Sequence, residues 1–164
     1  MAIEKIRSVN EDDISECVDV IRKSFQTVAD EFGITEENGA RFTAYATTES
    51  RINWHLNGEH RPMFVYTVDE KIVGYYSLLI SDKKKCELNN LCVLPQFRHK
   101  DIGSKLLQHA FSYASNNNVL KINIGIVDEN LKLKQWYIKH GFVYDRSEKF
   151  DFFPFTCGYL HKLL

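Results

Sequence analysis

The sequence predicts an α/β protein in which one mixed β-sheet of about seven strands carries helices on both faces. In the second half of the chain, apolar strands alternate with amphipathic helices, which implies parallel pairing. In the middle, three apolar strands follow one another across short turns, which implies antiparallel pairing. With 164 residues, of which 44% are hydrophobic, residues 1–164 can bury the core of one domain. The predicted order of elements is β-α-α-β-β-β-α-β-α-β-β.

The elements of the first half are predicted from periodicity. Residues 2–9 alternate weakly between apolar and polar positions, which indicates a strand. Asn10 can cap a helix that runs to about Val28, and the acidic residues after Asn10 suit a first helical turn. A second helix is predicted over residues 36–57, and Gly58 ends it. The three antiparallel strands are predicted at residues 63–68, 72–80 and 86–94.

The second half opens with a helix that begins near Gly103. Its apolar residues recur at helical spacing and form a stripe wide enough to lie on a sheet. Three asparagines at positions 116–118 end this helix. A further helix is predicted over residues 129–140, and Gly141 is suited to cap it. Strands are predicted over residues 121–127, 142–150 and 157–163.

The composition excludes several classes of function. The net charge of −1 argues against a nucleic-acid-binding surface. The four cysteines and six histidines lack the spacings of a metal site or a disulfide framework, so no metal is predicted. No apolar run reaches the ~20 residues of a membrane helix, and the N-terminus has no apolar leader block. We therefore expect a cytoplasmic protein that binds neither nucleic acid nor membrane.

A basic loop joins the third antiparallel strand to the following helix. Arg98, His99 and Lys100 give the loop positive charge, and a helix N-terminus presents unpaired backbone N–H groups. The N–H groups of residues 99–104 can therefore converge on one anion, and the Ser104 hydroxyl is a further donor. The loop is predicted to bind a phosphorylated cofactor. A solvated basic turn and a small nucleic-acid contact are the alternatives.

The strand at residues 87–93, this loop and the following helix resemble the acetyl-CoA-binding motif of the GNAT N-acetyltransferases. The loop signature of that family is Gln/Arg-x-x-Gly-x-Gly/Ala, and the corresponding residues are Arg98, His99, Lys100, Asp101, Ile102 and Gly103. Asp101 thus stands in place of the middle glycine. Residues 130–142 resemble the motif that follows in the family, with Leu133 in place of its small residue. The resemblance implies a GNAT-like fold and transfer of an acetyl, or another acyl, group from acetyl-CoA to a primary amine.

The resemblance also implies how acetyl-CoA is held. In the family, the strand before the loop splays from its parallel neighbour, and the pantetheine arm of the cofactor takes the unpaired hydrogen bonds. Leu91, Cys92 and Val93 would offer those main-chain groups, and one of their N–H groups would polarise the thioester carbonyl. Asn130 would cap a helix and also hydrogen-bond the pantetheine.

Two residues are candidates for the proton transfers that acyl transfer needs. Glu87 lies eleven residues before Arg98, which is the separation that the family uses for its catalytic glutamate. Partial burial would make Glu87 a usable base, directly or through water; an exposed glutamate on an edge strand is the alternative. Tyr137 is the candidate acid, because a phenol with a pKa near ~10 can protonate a thiolate. The alternative is a core tyrosine packed on Trp136. No Cys–His triad is visible, so direct transfer is predicted.

The acceptor site is predicted where the first two helices, the loop between them and the C-terminal strands meet. This region combines acids with aromatic residues, which suits a cationic amine, although a solvated acidic face is the favoured interpretation. The residues concerned are Asp30, Glu31, Phe32, Glu36, Glu37, Tyr45, Tyr75, Tyr76, Phe152 and Phe153. The partner is expected to be a small-molecule or peptide amine, and a homodimer is left open. The alternative function is a non-catalytic acyl-CoA-binding module with the same fold.

Overall fold

The computed structural model describes residues 1–164, and one mixed sheet runs through its centre. The strands are β1 (Glu4–Ser8), β2 (Met63–Val68), β3 (Lys71–Ser81), β4 (Lys85–Val93), β5 (Lys121–Val127), β6 (Val143–Lys149) and β7 (Thr156–Leu163). They lie in the order β1-β2-β3-β4-β5-β7-β6. All neighbours pair antiparallel except β4 and β5, which are parallel. The predicted seven-stranded mixed sheet is confirmed, and so is the order of elements except that two short helices replace the second predicted helix.

The helices are α1 (Ile14–Phe32), α2 (Thr43–Ala46), α3 (Glu49–Asn53), α4 (Ile102–Asn116) and α5 (Leu131–Lys139). α1 ends about one turn later than predicted, where Gly33 takes the left-handed conformation at φ 65°. α1 and α4 cover opposite faces of β3 and β4. Tyr76 of β3 contacts His109 of α4, and its neighbour Tyr75 points to the other face, towards Cys17 of α1. None of the helices is both long and apolar enough to span a membrane.

The predicted second helix over residues 36–57 is wrong. The chain instead forms the short helices α2 and α3, followed by a π-helical turn at Trp54–Gly58. Thr47 and Thr48 have extended backbones between α2 and α3. The Arg51 backbone N–H donates a 3.1 Å hydrogen bond to Thr48 Oγ1, which therefore caps α3. Because a hydroxyl that bonds to nearby backbone competes with the helix interior, this threonine pair divides the segment.

The parallel pair of strands is short. Only Lys85–Glu87 of β4 pair with Lys121–Asn123 of β5, although β4 continues to Val93 and β5 to Val127. β5 keeps its antiparallel pairing with β7 along its whole length. The two parallel strands therefore separate into a V-shaped gap, as the family resemblance implied.

A small second core holds the segment before α2 against the end of β5. The Phe42 ring packs edge-on against Phe25 and Phe155, with ring centroids 6.1 and 5.6 Å apart. Val127 of β5 belongs to the same buried cluster. Arg41, which precedes Phe42 in the chain, is therefore carried by a buried anchor beside the gap between β4 and β5.

Candidate active site

The gap between β4 and β5 opens into a cavity of about 350 Å³, here called the strand cavity. Both strands contribute five consecutive residues to its wall: Glu87, Leu88, Asn89, Asn90 and Leu91 from β4, and Asn123, Ile124, Gly125, Ile126 and Val127 from β5. Past Glu87 and Asn123 the strands no longer pair with each other, so main-chain groups on their facing edges lack a sheet partner. These groups can hydrogen-bond to a ligand in the strand cavity.

A β-bulge in β4 lies inside this gap. Tyr75 pairs with Cys92 and Ser77 pairs with Asn89, so Asn90 and Leu91 together oppose the single residue between them on β3. Asn90 has a φ of 56°, in the left-handed region that asparagine adopts more readily than most residues. Sequence reasoning missed this bulge. The consecutive asparagines at 89 and 90 are the signal that could have indicated it.

A second cavity, of about 480 Å³, lies between the end of β4, the loop before α4, and the helices α1 and α5. We call it the loop cavity. The residues common to both cavities are Phe25, Val28, Leu91, Asn130, Leu133 and Tyr137. A molecule that extends from the loop before α4 into the gap between the strands would therefore pass these side chains.

The N-terminus of α4 presents main-chain donors with no partner in the protein. None of the six backbone N–H groups from His99 to Ser104 donates a hydrogen bond within the chain. His99 and Asp101 have left-handed backbones, with φ of 61° and 67°. The exposed Asp101 carboxylate makes no hydrogen bond to these amides and caps nothing. Unpaired amides at a helix N-terminus are the arrangement that binds anions elsewhere in proteins.

The structure corrects the predicted role of Arg98. Its Nε donates to the Val93 carbonyl at 3.0 Å, and its terminal nitrogens donate to Thr27 Oγ1 at 3.0 Å and to the Ser24 carbonyl at 2.9 Å. Burial lowers the pKa of Arg98 from its usual high value. The guanidinium therefore fastens the loop to α1 rather than extending towards an anion. It also occupies the Val93 carbonyl that was predicted to be free for a cofactor.

Lys100 and Ser104, which were also predicted to bind the phosphorylated cofactor, contact other groups of the protein. The Lys100 ammonium lies over the Phe97 ring, 5.3 Å from its centroid, and Lys100 does not border the loop cavity. Ser104 Oγ lies 3.0 Å from His140 Nε2, and His140 Nδ1 lies 2.7 Å from the Trp136 carbonyl. Because a carbonyl can only accept, His140 donates from Nδ1 to Trp136, and its Nε2 is left to pair with the Ser104 hydroxyl. Ser104 thus joins α4 to α5 and is not a free donor.

Other predicted cofactor residues border the loop cavity. His99, Asp101, Gly103 and the buried residues Cys92, Val93 and Ile102 lie on its wall, while Leu91 borders both cavities. Asn130 caps α5 as expected, since its Oδ1 accepts from the Leu133 backbone N–H at 3.2 Å. Asn130 borders both cavities, and its side-chain amide nitrogen donates no hydrogen bond within the protein. Trp136 and Lys132 of α5 also line the loop cavity; sequence reasoning did not assign them, and neither carries a motif signal.

Tyr137 lies where the two cavities meet. Its side chain is 6% exposed, and its ring packs against Trp136 and Phe142 with centroids 5.0 and 5.2 Å apart. Its hydroxyl has no hydrogen-bond partner in the protein, and burial raises the pKa of Tyr137 above its usual value. The phenol is therefore protonated at neutral pH. Tyr137 packs on Trp136 in the core and also borders both cavities. It can therefore be a core tyrosine and remain the candidate acid.

Glu87 borders the strand cavity, but not as expected. Its side chain is exposed, so the predicted partial burial is wrong. The alternative of an edge strand is also wrong, because Glu87 pairs with Leu79 on one side and Asn123 on the other. The carboxylate is carried by an interior strand and projects from the sheet at the point where β4 and β5 begin to separate.

The strand cavity lies beside the region predicted for the acceptor, but most of the residues predicted for that region do not line the cavity. Phe153 borders the strand cavity, and Glu31 borders the loop cavity. Tyr75 and Tyr76 are fully buried in the core. The other predicted residues, Asp30, Phe32, Glu36, Glu37, Tyr45 and Phe152, border neither cavity. The segment before α2 instead contributes Arg41, which sequence reasoning missed. No group of three or more His, Cys, Asp or Glu side chains is placed to hold a metal ion.

Comparisons with known proteins match this geometry. Residues 59–144, more than half of the chain, match the family model of the acetyltransferase (GNAT) domain. An uncharacterized N-acetyltransferase of Archaeoglobus fulgidus is 24% identical over 139 residues, which span 81% of this chain and 88% of the relative. The PaiA N-acetyltransferase of Thermoplasma acidophilum, solved in complex with coenzyme A, has a TM-score of 0.82 at 20% identity and covers 99% of both chains. The ribosomal-protein-S18-alanine N-acetyltransferase of Escherichia coli has a TM-score of 0.77 at 14% identity, over 98% of this chain and 94% of that chain.

The matched region contains the features described above. It extends from just before β2 to the start of β6, so it includes the separated strands β4 and β5, the loop before α4, and α5. The structural neighbours share the fold along nearly their whole length. Because the family model covers more than half of this chain, the chain belongs to the GNAT acetyltransferase family.

Proposed function

We propose that this protein transfers an acetyl group from acetyl-CoA directly to a primary amine. The observation that carries the proposal is the junction of the two cavities. The loop cavity is lined by four of the six residues whose main-chain N–H groups are unpaired, and it meets, at Tyr137, Leu91 and Leu133, a second cavity between separated strands. Such an arrangement suits a long phosphorylated cofactor at one end and an acceptor at the other.

The amides of residues 99–104 are proposed to hold the diphosphate of coenzyme A. They combine unpaired N–H donors with the partial positive charge of the α4 N-terminus. The imidazole of His99 and the ammonium of Lys132 lie on the same cavity and add donors for phosphate oxygens. Main-chain groups of Leu91 and Cys92, together with the free amide nitrogen of Asn130, are placed to bind the arm that leads towards Tyr137.

Tyr137 at the junction and Glu87 on the wall of the strand cavity have the properties that acyl transfer requires. When bound, acetyl-CoA supplies a thioester whose carbonyl carbon bonds to the amine nitrogen while its bond to sulfur breaks. Glu87, exposed on the strand cavity, accepts the proton that the amine releases, directly or through water. Tyr137 holds a proton at neutral pH and donates it to the departing thiolate. A main-chain N–H next to the β4 bulge polarises the carbonyl.

Direct transfer is favoured over an acyl-enzyme because the thiols lack the properties of a nucleophile. Burial raises the pKa of Cys86 and Cys92 to about 12. Cys157 borders the strand cavity, but burial raises its pKa as well. Since the thiolate is the reactive form, none of these residues is activated at neutral pH.

A binding module without catalysis is the second candidate, and Leu133 is the observation that favours it. This half-buried side chain lies on both cavities, where the family resemblance implies a small residue. Titration calorimetry with coenzyme A, together with thiol release from acetyl-CoA in the presence of an amine panel, separates the candidates. Amine-dependent thiol release supports the transferase, and binding without release supports the module. If calorimetry detected no binding of coenzyme A, both candidate functions would be wrong.

A further inference from the structure

The strand cavity has an unusual charge pattern for a site that accepts an amine. Of the 22 residues that line it, 14 are hydrophobic, and the only charged side chains are Arg41 and Glu87. A polyamine would bring several positive charges to a wall that offers one carboxylate and one guanidinium. The cavity therefore suits a ligand with one positive end, one negative end and an apolar body.

Arg41 has a guanidinium whose hydrogen-bonding capacity is unused. It stacks over the Phe152 ring at 4.3 Å from the centroid and makes no hydrogen bond or ion pair within the protein. Stacking occupies the face of a guanidinium and leaves the five N–H donors on its edge available. Those donors form a planar fork that matches both oxygens of a carboxylate.

The placement of Arg41 differs from that of the other six arginines. Five of them bond to carboxylates or carbonyls of the protein through their side chains, namely Arg7, Arg22, Arg61, Arg98 and Arg146. Arg51 on α3 is also unpaired, but it borders neither cavity. Arg41 is thus the one arginine that is both unpaired and on a cavity wall. Its backbone is held there because the adjacent Phe42 ring is buried between Phe25 and Phe155.

We infer that the acetyl acceptor is a small primary amine that carries a carboxylate, such as an apolar amino acid, with its carboxylate on the Arg41 guanidinium. This inference rests on the proposed function, because it assigns the acceptor of the same reaction. The amine end of this ligand is directed at the junction, where Tyr137 borders the strand cavity, and Glu87 lies on the wall of the same cavity. The apolar walls of β4 and β5 enclose its side chain.

The test is acetyl transfer to matched sets of acceptors. L-leucine, L-methionine and L-phenylalanine are each compared with their amides and with their decarboxylated amines, and spermidine is included. We expect kcat/KM for the best amino acid to exceed that of its decarboxylated amine by at least about tenfold, as a charge-assisted hydrogen-bond pair implies. Arg41→Gln should lower kcat/KM for the amino acid by about the same factor, through KM, and leave the decarboxylated amine and acetyl-CoA unaffected.

The controls separate recognition of the carboxylate from general damage. Arg51→Gln removes another exposed arginine, one that lies away from both cavities, and should change nothing. Arg41→Lys keeps the charge without the fork and should recover only part of the lost affinity. If acetyl groups were transferred efficiently to amides, decarboxylated amines or spermidine but not to amino acids, the inferred acceptor would be wrong. The proposed acetyltransferase activity would still hold. An equal loss for acid and decarboxylated amine in Arg41→Gln would overturn it too. If no amine caused thiol release from acetyl-CoA, both the proposed acetyltransferase activity and the inferred acceptor would be wrong.

Discussion

The two cavities of this protein are built in different ways. Four of the six residues with unpaired backbone N–H groups at the start of α4 line the loop cavity and give it the capacity to bind an anion. The strand cavity is enclosed by side chains from distant parts of the chain, from Phe25 in α1 to Tyr159 in β7. The first site is therefore a local property of one loop, whereas the second exists only after the sheet, α1 and the C-terminal strand have assembled.

The difference has a consequence for specificity. Main-chain amides recognise a phosphate without regard to the side chains around them. The wall of the strand cavity, in contrast, can change its charge or shape through single substitutions that leave the loop untouched. Arg41 and Phe153 border the strand cavity alone, and His99 and Gly103 border the loop cavity alone.

The largest expected effect abolishes both sites together, because both depend on the core beneath β3 and β4. Burial raises the pKa of Cys17, Cys86 and Cys92 to about 12, from an ordinary value near 9.0. Above pH 9 these thiols ionise in the unfolded chain but stay protonated in the folded one, so stability falls as pH rises. Each ionising thiol contributes at most about 1.4 kcal/mol per pH unit, so the free energy of unfolding should fall by up to about 4 kcal/mol per unit between pH 9 and 10. Above pH 10 the buried phenols of Tyr75, Tyr76 and Tyr137, whose pKa burial also raises, should steepen the fall.

Denaturant unfolding followed by circular dichroism at several pH values measures this slope. The Cys86→Ala variant should lose about one third of it. A stability that stays constant from pH 9 to pH 11 would contradict the expectation.

Tyr137 lies where the two cavities meet. Loss of its hydroxyl should slow the acetyl-transfer step without weakening the binding of a ligand in either cavity. In Tyr137→Phe we expect kcat to fall by about a hundredfold, because the general acid is lost while the buried ring is kept. The affinity for coenzyme A, measured by calorimetry, should be unchanged. Tyr144→Phe on β6, outside both cavities, is the matched control. Unchanged turnover in Tyr137→Phe would remove Tyr137 from the reaction.

Substitution of Arg98 should weaken binding in the loop cavity but not in the strand cavity, because Arg98 fastens the loop to α1. Arg98→Gln removes donors from Val93, Thr27 and Ser24, so the six amides lose their fixed positions. We expect the Kd for coenzyme A to rise about tenfold and stability to fall by about 2 kcal/mol. The KM of the amine should stay the same. Arg98→Lys, which keeps the charge but cannot reach three acceptors, should not restore binding; full recovery would indicate that charge alone matters.

The smallest effect is expected at Asp101, whose carboxylate lies beside the amides without bonding to them. Asp101→Asn removes the charge and tolerates the left-handed backbone, so coenzyme A should bind about threefold more tightly at low salt. Asp101→Gly should give a similar gain, because glycine adopts φ 67° freely. The gain should disappear at high ionic strength. Tighter binding in the glycine variant alone would show that backbone strain, not charge, limits affinity.

Much of the fold followed from local patterns. The bounds of β2 and β5 agree with prediction, as do the loop before α4 and the cap at Asn130. Those features depend on periodicity, turn residues and caps, which act over a few neighbouring positions. The second helix was mispredicted because its apolar spacing outweighed the threonine pair at 47 and 48, whose hydroxyl and backbone preferences ended α2 and began α3.

Local patterns in the chain specify the order of the strands, the run of amides at residues 99–104 and the position of Tyr137 on α5. The folded core is needed to bring Arg98 to Thr27, 71 residues earlier in the chain, and to place Arg41 with β4 and β5 on one cavity wall. The reason is the distance along the chain over which each interaction acts. Backbone donors are specified by the local chain conformation, whereas the partner of a long charged side chain depends on which distant segments the folded core brings within reach.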